Sequence, residues 1–318
     1  MDSVMQVTRP VIGWGIIFFN IFGNFGNFNI LWACKRGNLK GKHGVLLTMT
    51  TFFQSVCLLF EFIQAYCMFF TTMITRRLCV TVQSPYLFTI CMQQFLLLLL
   101  SIDLVISSLA PAFHRRTPTK IYCLLMALPA VIFSSWMEAL AIRGIDDEIL
   151  WICNPPIAFA PEPRKVWLRG CVWINVITFA LYMFLLIKFH VQAYQKKTAQ
   201  QDICLAENRL KHQCYEEKVT RSLSVLVISF VFSWFFALIG ADVVQFLGLS
   251  AELVPVFQTY MVFPAMLSYS LPYYVLFVNS AHFREIFTLQ LKLLFRIPMA
   301  AKEREESLTR PGESPSRF

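Results

Sequence analysis

The chain has 318 residues, of which 57% are apolar and only 15% charged, with 31 Phe and a formal net charge of +9. So little charge excludes a solvated, disordered polypeptide, and its confinement between long apolar runs excludes a soluble domain with a basic nucleic-acid-binding face. The composition is that of a membrane protein.

Seven apolar runs follow one another along the chain, over residues 11–33, 44–70, 85–109, 121–142, 166–189, 222–247 and 253–278. Each is long enough to cross a bilayer, because a hydrocarbon core of about 30 Å takes about 20 helical residues. Lipid offers the backbone no hydrogen-bond partner, so the spans must be helices; barrel strands would be about half as long and would alternate in polarity. The sequence therefore predicts an all-α membrane protein, a seven-transmembrane helix bundle over residues 11–278. Residues 1–10 are too short to fold alone, and no small-residue cleavage site follows them, so the first run reads as a retained anchor.

Alternate loops face opposite sides of the membrane, and the basic residues fall mainly on one set. Lys35, Arg36, Lys40 and Lys42 follow the first run, Arg115, Arg116 and Lys120 the third, and Lys188, Lys196, Lys197, Arg209, Lys211, Lys218 and Arg221 the fifth. The C-terminal segment adds Arg284, Lys292, Arg296, Lys302, Arg304, Arg310 and Arg317. The opposite set holds only Arg9, Arg76, Arg77, Arg143, Arg164 and Lys165. The positive-inside rule then predicts an extracellular N-terminus and a cytoplasmic C-terminus in the cell membrane, with attraction to anionic membrane lipids and no nucleic-acid partner.

With that topology the polar residues inside the runs acquire positions. Glu61 lies well inside the outer half of the second run, flanked by apolar residues, and is the leading ligand-binding candidate, since a carboxyl group in lipid is costly. Glu138, Arg169 and Asp242 sit nearer outer ends, where the simpler role is to reach headgroups or water. Of the ten cysteines, Cys34, Cys57, Cys67, Cys91, Cys123 and Cys171 lie in or at the ends of spans, and Cys204 and Cys214 in a reducing cytoplasmic loop. Cys79 and Cys153 remain on the oxidising side and are expected to form one disulfide, the alternative being two free thiols. Further on, residues 188–221 are Gln- and Lys-rich without Gly or Pro, which favours helical extension of the fifth and sixth spans. Trp234 stands in the middle of the sixth run, away from the interfaces where Trp collects, and either fills the bundle interior or floors a ligand cavity.

Past the seventh run, residues 279–297 space Phe283, Ile286, Phe287, Leu291, Leu294 and Phe295 as one apolar face opposite Arg284, Lys292 and Arg296, predicting a C-terminal amphipathic surface helix. Residues 298–318 are charged and rich in Ser and Pro, a disordered cytoplasmic tail with Ser307, Thr309, Ser314 and Ser316 open to phosphorylation or merely solvating. Catalysis has no support: His43, His114, His190, His212 and His282 sit at cytoplasmic ends without metal-ligand spacing, and no phosphate-binding loop is present. Neither enzyme activity, nor a cofactor, nor a metal is expected.

Taken together, seven spans, the outside N-terminus, Cys79 with Cys153 and the helix after the last span resemble the rhodopsin-like class of G-protein-coupled receptors. Gly26-Asn27 resembles the Gly-Asn of that class's first span; Asp103 and Pro111 stand where the acid of Asp-Arg-Tyr and its following Pro belong; Phe230, Ser233 and Trp234 resemble the Phe-x-x-Cys-Trp-x-Pro switch, and Phe283-Arg284 the start of the eighth helix. Within the class, Ser101-Ile-Asp103, Cys153-Asn-Pro-Pro156 and Ser233-Trp-Phe235 are similar to nematode serpentine chemoreceptors of the srsx group. The resemblance implies a small-molecule ligand, a heterotrimeric G protein, and a ligand cavity bounded by Glu61, Tyr86, Ile90, Trp234 and Phe263. It also implies a switch and coupling set of Asp103, Leu104, Phe230, Trp234 and Pro272.

Departures from the class pattern carry as much information. Leu104 replaces the Arg of Asp-Arg-Tyr, so the ionic latch of that Arg to Glu216 or Glu217 cannot form, and G-protein coupling is in doubt. Gln54 occupies the place of the sodium-binding acid, Phe236 that of the switch Pro, and Tyr273-Tyr274 with Phe277 that of Asn-Pro-x-x-Tyr. The seventh run has no Lys, which excludes a retinal Schiff base, and Tyr86 rather than an acid stands in the outer third run, which removes the usual amine counter-ion. Two functions stay open: a chemoreceptor signalling through a G protein, and an atypical seven-span decoy, partner subunit or trafficking factor.

Overall fold

The computed structural model describes residues 2–36, 41–70, 73–150, 152–199, 225, 228–237, 240 and 253–295. Its helices are α1 (Asp2–Lys35), α2 (Lys42–Phe70), α3 (Arg76–Leu109), α4 (Pro111–Arg116), α5 (Thr119–Arg143), α6 (Pro155–Ala158), α7 (Pro161–Ala199), α8 (Ile228–Ala237), α9 (Leu253–Tyr260), α10 (Val262–Ser270), α11 (Pro272–Asn279) and α12 (Ala281–Leu294). Five of them, α1, α2, α3, α5 and α7, are long and apolar enough to cross a membrane singly. The run from Val256 through α10 and α11 makes a sixth crossing if its 47° bend is taken as one broken span, and α8 is the described part of the expected sixth run. Most of that run, with Asp242, Glu216, Glu217, Cys204, Cys214, His212, Arg296 and the tail 298–318, lies outside the described residues.

Packing sorts the helices into centre and rim. In α3, 78% of the membrane window is buried against the rest of the chain, whereas in α5 the share is 28%. The outward side chains of α5, among them Leu124, Leu125, Ile132 and Trp136, are exposed apolar groups whose solvent is lipid. α3 packs on α2, α5 and α7, and α1 closes the bundle against α2 and α10. Gly26 allows the last contact to continue into α11, since a Cβ there would stand 2.7 Å from the Cβ of Tyr273.

Local chemistry sets the helix ends. The side chain of Thr75 caps α3 by accepting from Leu78 N at 3.4 Å, and α3 stops at Ala110 because Pro111 disfavours a helical predecessor. Pro111 then opens α4 at a position where its missing N–H costs nothing. Two boundaries differ from the sequence expectation. Helix α1 already starts at Asp2 rather than near residue 11, since prolonging an existing helix adds a hydrogen bond per residue without a new nucleus. Pro85 lies inside α3 rather than at the start of a span, a placement that transmembrane helices tolerate.

One end of the bundle is strapped. Strand β1 (Ile74–Thr75) pairs antiparallel with β2 (Ile149–Leu150), Ile74 opposite Leu150. Where the sequence shows no convincing strand, this two-residue ladder is too short to leave a periodic signal. Arg76 bridges Asp146 and Glu148, Arg77 meets Asp147 at 2.7 Å, and Gln83 Nε2 donates to the carbonyl of Cys153 at 3.0 Å. The bond to Arg77 holds the Asp147 carboxyl below the usual range. The Cys79–Cys153 disulfide completes the strap.

A crosslink between residues 74 apart removes about 4 kcal/mol of loop entropy from the unfolded chain. Replacing Cys79 by Ser should therefore lower the thermal unfolding midpoint by several degrees in detergent, and Cys79→Ser with Cys153→Ser together should cost no more than either alone. A thiol-reactive dye melt of the purified variants measures both.

Candidate functional site

Behind the strap, the second helix presents Glu61 to the third. Its side chain is 1% exposed, and Tyr86 Oη donates to Glu61 Oε1. Glu61 Oε2 has no hydrogen-bond partner among the described residues. Thr89 Oγ1 donates to the carbonyl of Tyr86 at 2.9 Å and accepts from Cys57 Sγ, which ties this turn of α3 to α2. Ile90, one turn further along α3, is buried on the same apolar core.

Tyr269 of α10 continues the group inward. It is fully buried, and its ring lies 6.0 Å from that of Trp234, tilted by 58°. Trp234 in turn meets Phe230 at 6.1 Å with the rings tilted by 43°, so the pair expected to form the switch is in contact one turn apart on α8. Neither the hydroxyl of Tyr269 nor Nε1 of Trp234 has a hydrogen-bond partner among the described residues. The same is true of both amide atoms of Gln54, Gln64 and Gln93, which are buried on α2 and α3. Each such group costs about 1–3 kcal/mol if left unmet, so these donors and acceptors are where a ligand or water would bond.

Phe263 is placed differently. Its ring sits against α1, where a Cβ on Gly15 would come within 2.3 Å of it, and it neighbours Phe19 at 6.1 Å and Tyr260 at 6.0 Å. The fold therefore brings Glu61, Tyr86 and Trp234 together through Tyr269 and puts Phe263 at the α1–α10 seam. Sequence reasoning missed Tyr269, although a tyrosine between Ser268 and Ser270 in an apolar run is a detectable signal. Of the interfacial acids and bases, Glu138 is half-buried and accepts from Ser84 Oγ, and Arg169 is exposed. A separate cleft lies at the strap, lined by Arg9, Met68, Met73, Ile74, Ile152 and Cys153.

At the far end of α3, Leu104 is fully buried in the main apolar cluster, so the place of the class's Arg is filled by packing. Asp103 beside it is also buried, and its partners come from two other elements. His114 Nε2 of α4 meets Oδ1 at 2.8 Å, and His43 Nδ1, in the first turn of α2, lies against Oδ2. Burial holds the His114 imidazole below its ordinary pKa, against the opposing pull of Asp103. These histidines have no metal-ligand spacing in the chain, standing 71 positions apart, yet the fold brings both onto Asp103.

Pro272 opens α11 at the 47° bend, where its missing N–H relieves the helix of one bond. Below the bend Tyr273 packs on Phe287 of α12 at 4.6 Å, and Phe283 and Phe287 are buried while Arg284 and Glu285 are exposed. Asn27 Nδ2 donates to the carbonyl of Tyr269 at 3.2 Å, which fixes the bent span to α1 just above the break.

The model of a family described as serpentine type 7TM GPCR chemoreceptor Srsx matches residues 20–291. Among solved structures, the crystal structure of squid rhodopsin superposes with a TM-score of 0.71 over 98% of this chain and 93% of that one, at 16% identity, which establishes a shared fold. No curated protein matches the chain.

Removing the Tyr86 hydroxyl should leave Glu61 without its donor. Tyr86→Phe is expected to destabilise by about 1–3 kcal/mol, and Glu61→Leu on that background to recover most of the loss, because the orphaned carboxyl goes with it. A double-mutant cycle read by thermal unfolding checks this; strictly additive losses would show that the contact carries nothing.

Proposed function

The chain belongs to the serpentine 7TM GPCR chemoreceptor Srsx family, and we propose that it is a cell-membrane receptor that binds an extracellular small molecule and signals through a heterotrimeric G protein. It is a multi-pass membrane protein of rhodopsin-like fold. The observation that carries the proposal is the buried group of Glu61 bonded to Tyr86, with Tyr269 beside Tyr86 and packed on Trp234, which sets an unpaired carboxyl oxygen near the aromatic pair on α8. In this reading a lipophilic or weakly cationic ligand enters beneath the Cys79–Cys153 strap and donates to Glu61. Tyr269 then moves, and Trp234 with it.

Binding does not create a new shape. It favours one of two bundle packings to the extent that the ligand binds one better, and a displacement of α8 opens the opposite, cytoplasmic end. Leu104 supports a second function, a decoy or partner subunit without conventional coupling, because a buried leucine offers a G protein no cation.

Guanine-nucleotide exchange in membranes carrying the chain separates the two. With a panel of volatile lipophilic and amine odorants, the native chain should raise exchange, and Trp234→Ala should abolish the rise. Background exchange from the native chain alongside activity in Leu104→Arg would sink the coupling proposal. The proposed orientation has its own check: an N-terminal tag should stain on intact cells, and a C-terminal tag only after permeabilisation.

A further inference from the structure

We propose that His43, Asp103 and His114 form a three-ligand site for a divalent transition-metal ion of the zinc class, at the end of the bundle opposite the disulfide. The inference is independent of ligand binding and of G-protein coupling.

Two imidazole nitrogens and a carboxylate oxygen are the donor set that borderline ions such as zinc prefer, whereas calcium and magnesium would call for oxygen alone. The three donors, His43 Nδ1, an Asp103 oxygen and His114 Nε2, all lie within 4.8 Å of one another. A tetrahedral ion with bonds of about 2.0–2.2 Å would set the donors roughly 3.3 Å apart, so the imidazoles would have to open from the carboxylate, His114 from 2.8 Å, a change that side-chain torsions can supply. The rings of His43 and His114 already lie nearly parallel, 5.2 Å apart at 21°, each against one oxygen of Asp103.

A second observation points to a cation between these groups. Asp103 is fully buried with His43 Nδ1 against Oδ2 and His114 Nε2 at 2.8 Å from Oδ1. A buried carboxylate between two imidazoles calls for positive charge, which a proton on a ring nitrogen supplies and a metal ion would supply in its place. The outer shell is also in place: Tyr122 packs edge-on against His114 at 5.5 Å, and Lys42 Nζ donates to the His114 carbonyl. The Lys42 ammonium, held over the Tyr122 ring at 4.5 Å, is the nearby cation that opposes binding, and it lowers affinity rather than blocking the donors. The side chain of His43 is 28% exposed, which leaves the ion a way in.

Such an ion would join the start of α2, the far end of α3 and α4 at one point. With three protein ligands it keeps a fourth position for water or for a side chain of a docked partner.

The test uses the full chain purified in nanodiscs, stripped with chelator, reloaded with zinc and freed of excess by gel filtration. Elemental analysis should find one more zinc per native chain than per His43→Gln/His114→Gln chain, a difference that cancels binding elsewhere. Cobalt in place of zinc should give the intense visible bands of low-coordinate Co²⁺ in the native chain alone. Equal metal content in the two proteins overturns the proposal. Should the double variant not fold, modification of the native chain by diethyl pyrocarbonate decides: zinc should protect His43 and His114 several-fold more than His190, and uniform modification overturns the site.

Discussion

Hydrocarbon offers no hydrogen-bond partner, so every polar group carried into a span has to be met by a neighbouring helix or left at a cost of about 1–3 kcal/mol. In this bundle the pairings that satisfy the condition are also the ones that fix helix positions. Asn27 holds the bent span through the Tyr269 carbonyl, Gln94 Nε2 donates across to Cys171 O at 3.2 Å, and Tyr86 meets Glu61. Each joins two helices, and α3 takes part in two of the three. Its burial is consistent with this, since seven of its polar side chains are buried, Gln83, Gln94 and Asp103 among them.

The condition is met unevenly. Toward the strapped end the glutamines, Tyr269 and Trp234 keep unanswered donors and acceptors, whereas at the other end Asp103 draws both neighbouring histidines onto itself. Leu104, the next residue along α3, packs in the core and offers Asp103 no charge, so the partners of Asp103 come from α2 and α4.

What the sequence discloses follows the range of the physics involved. Hydropathy and the placement of Lys and Arg are local properties, so the spans could be read directly. Compartment logic singled out Cys79 and Cys153, whose bond the structure contains. Gly26-Asn27 was legible as a motif, and the structure gives its reason in the Tyr273 contact and the Tyr269 carbonyl. Convergence in space was not legible. His43 and His114 lie on different helices, Tyr269 is one tyrosine among ten, and Phe263 faces α1 where a glycine far away in the chain makes room. The β1–β2 ladder escaped for a different reason, that its two residues per strand owe their pairing to the ion pairs and disulfide around it.

The strap also has a history within the life of each molecule. Its two halves are separated by 74 residues, so Cys79 leaves the ribosome with the third helix and stays an unpaired thiol until the fourth helix and the loop after it have been made. At about 5–20 residues per second that wait lasts several seconds. During it α3 packs first on α2 and then on α5 as that helix is made, while α7 arrives later. The order of synthesis thus puts the N-terminal hairpin in place first, and the bond that closes the strap can form only once the helices on either side of it exist.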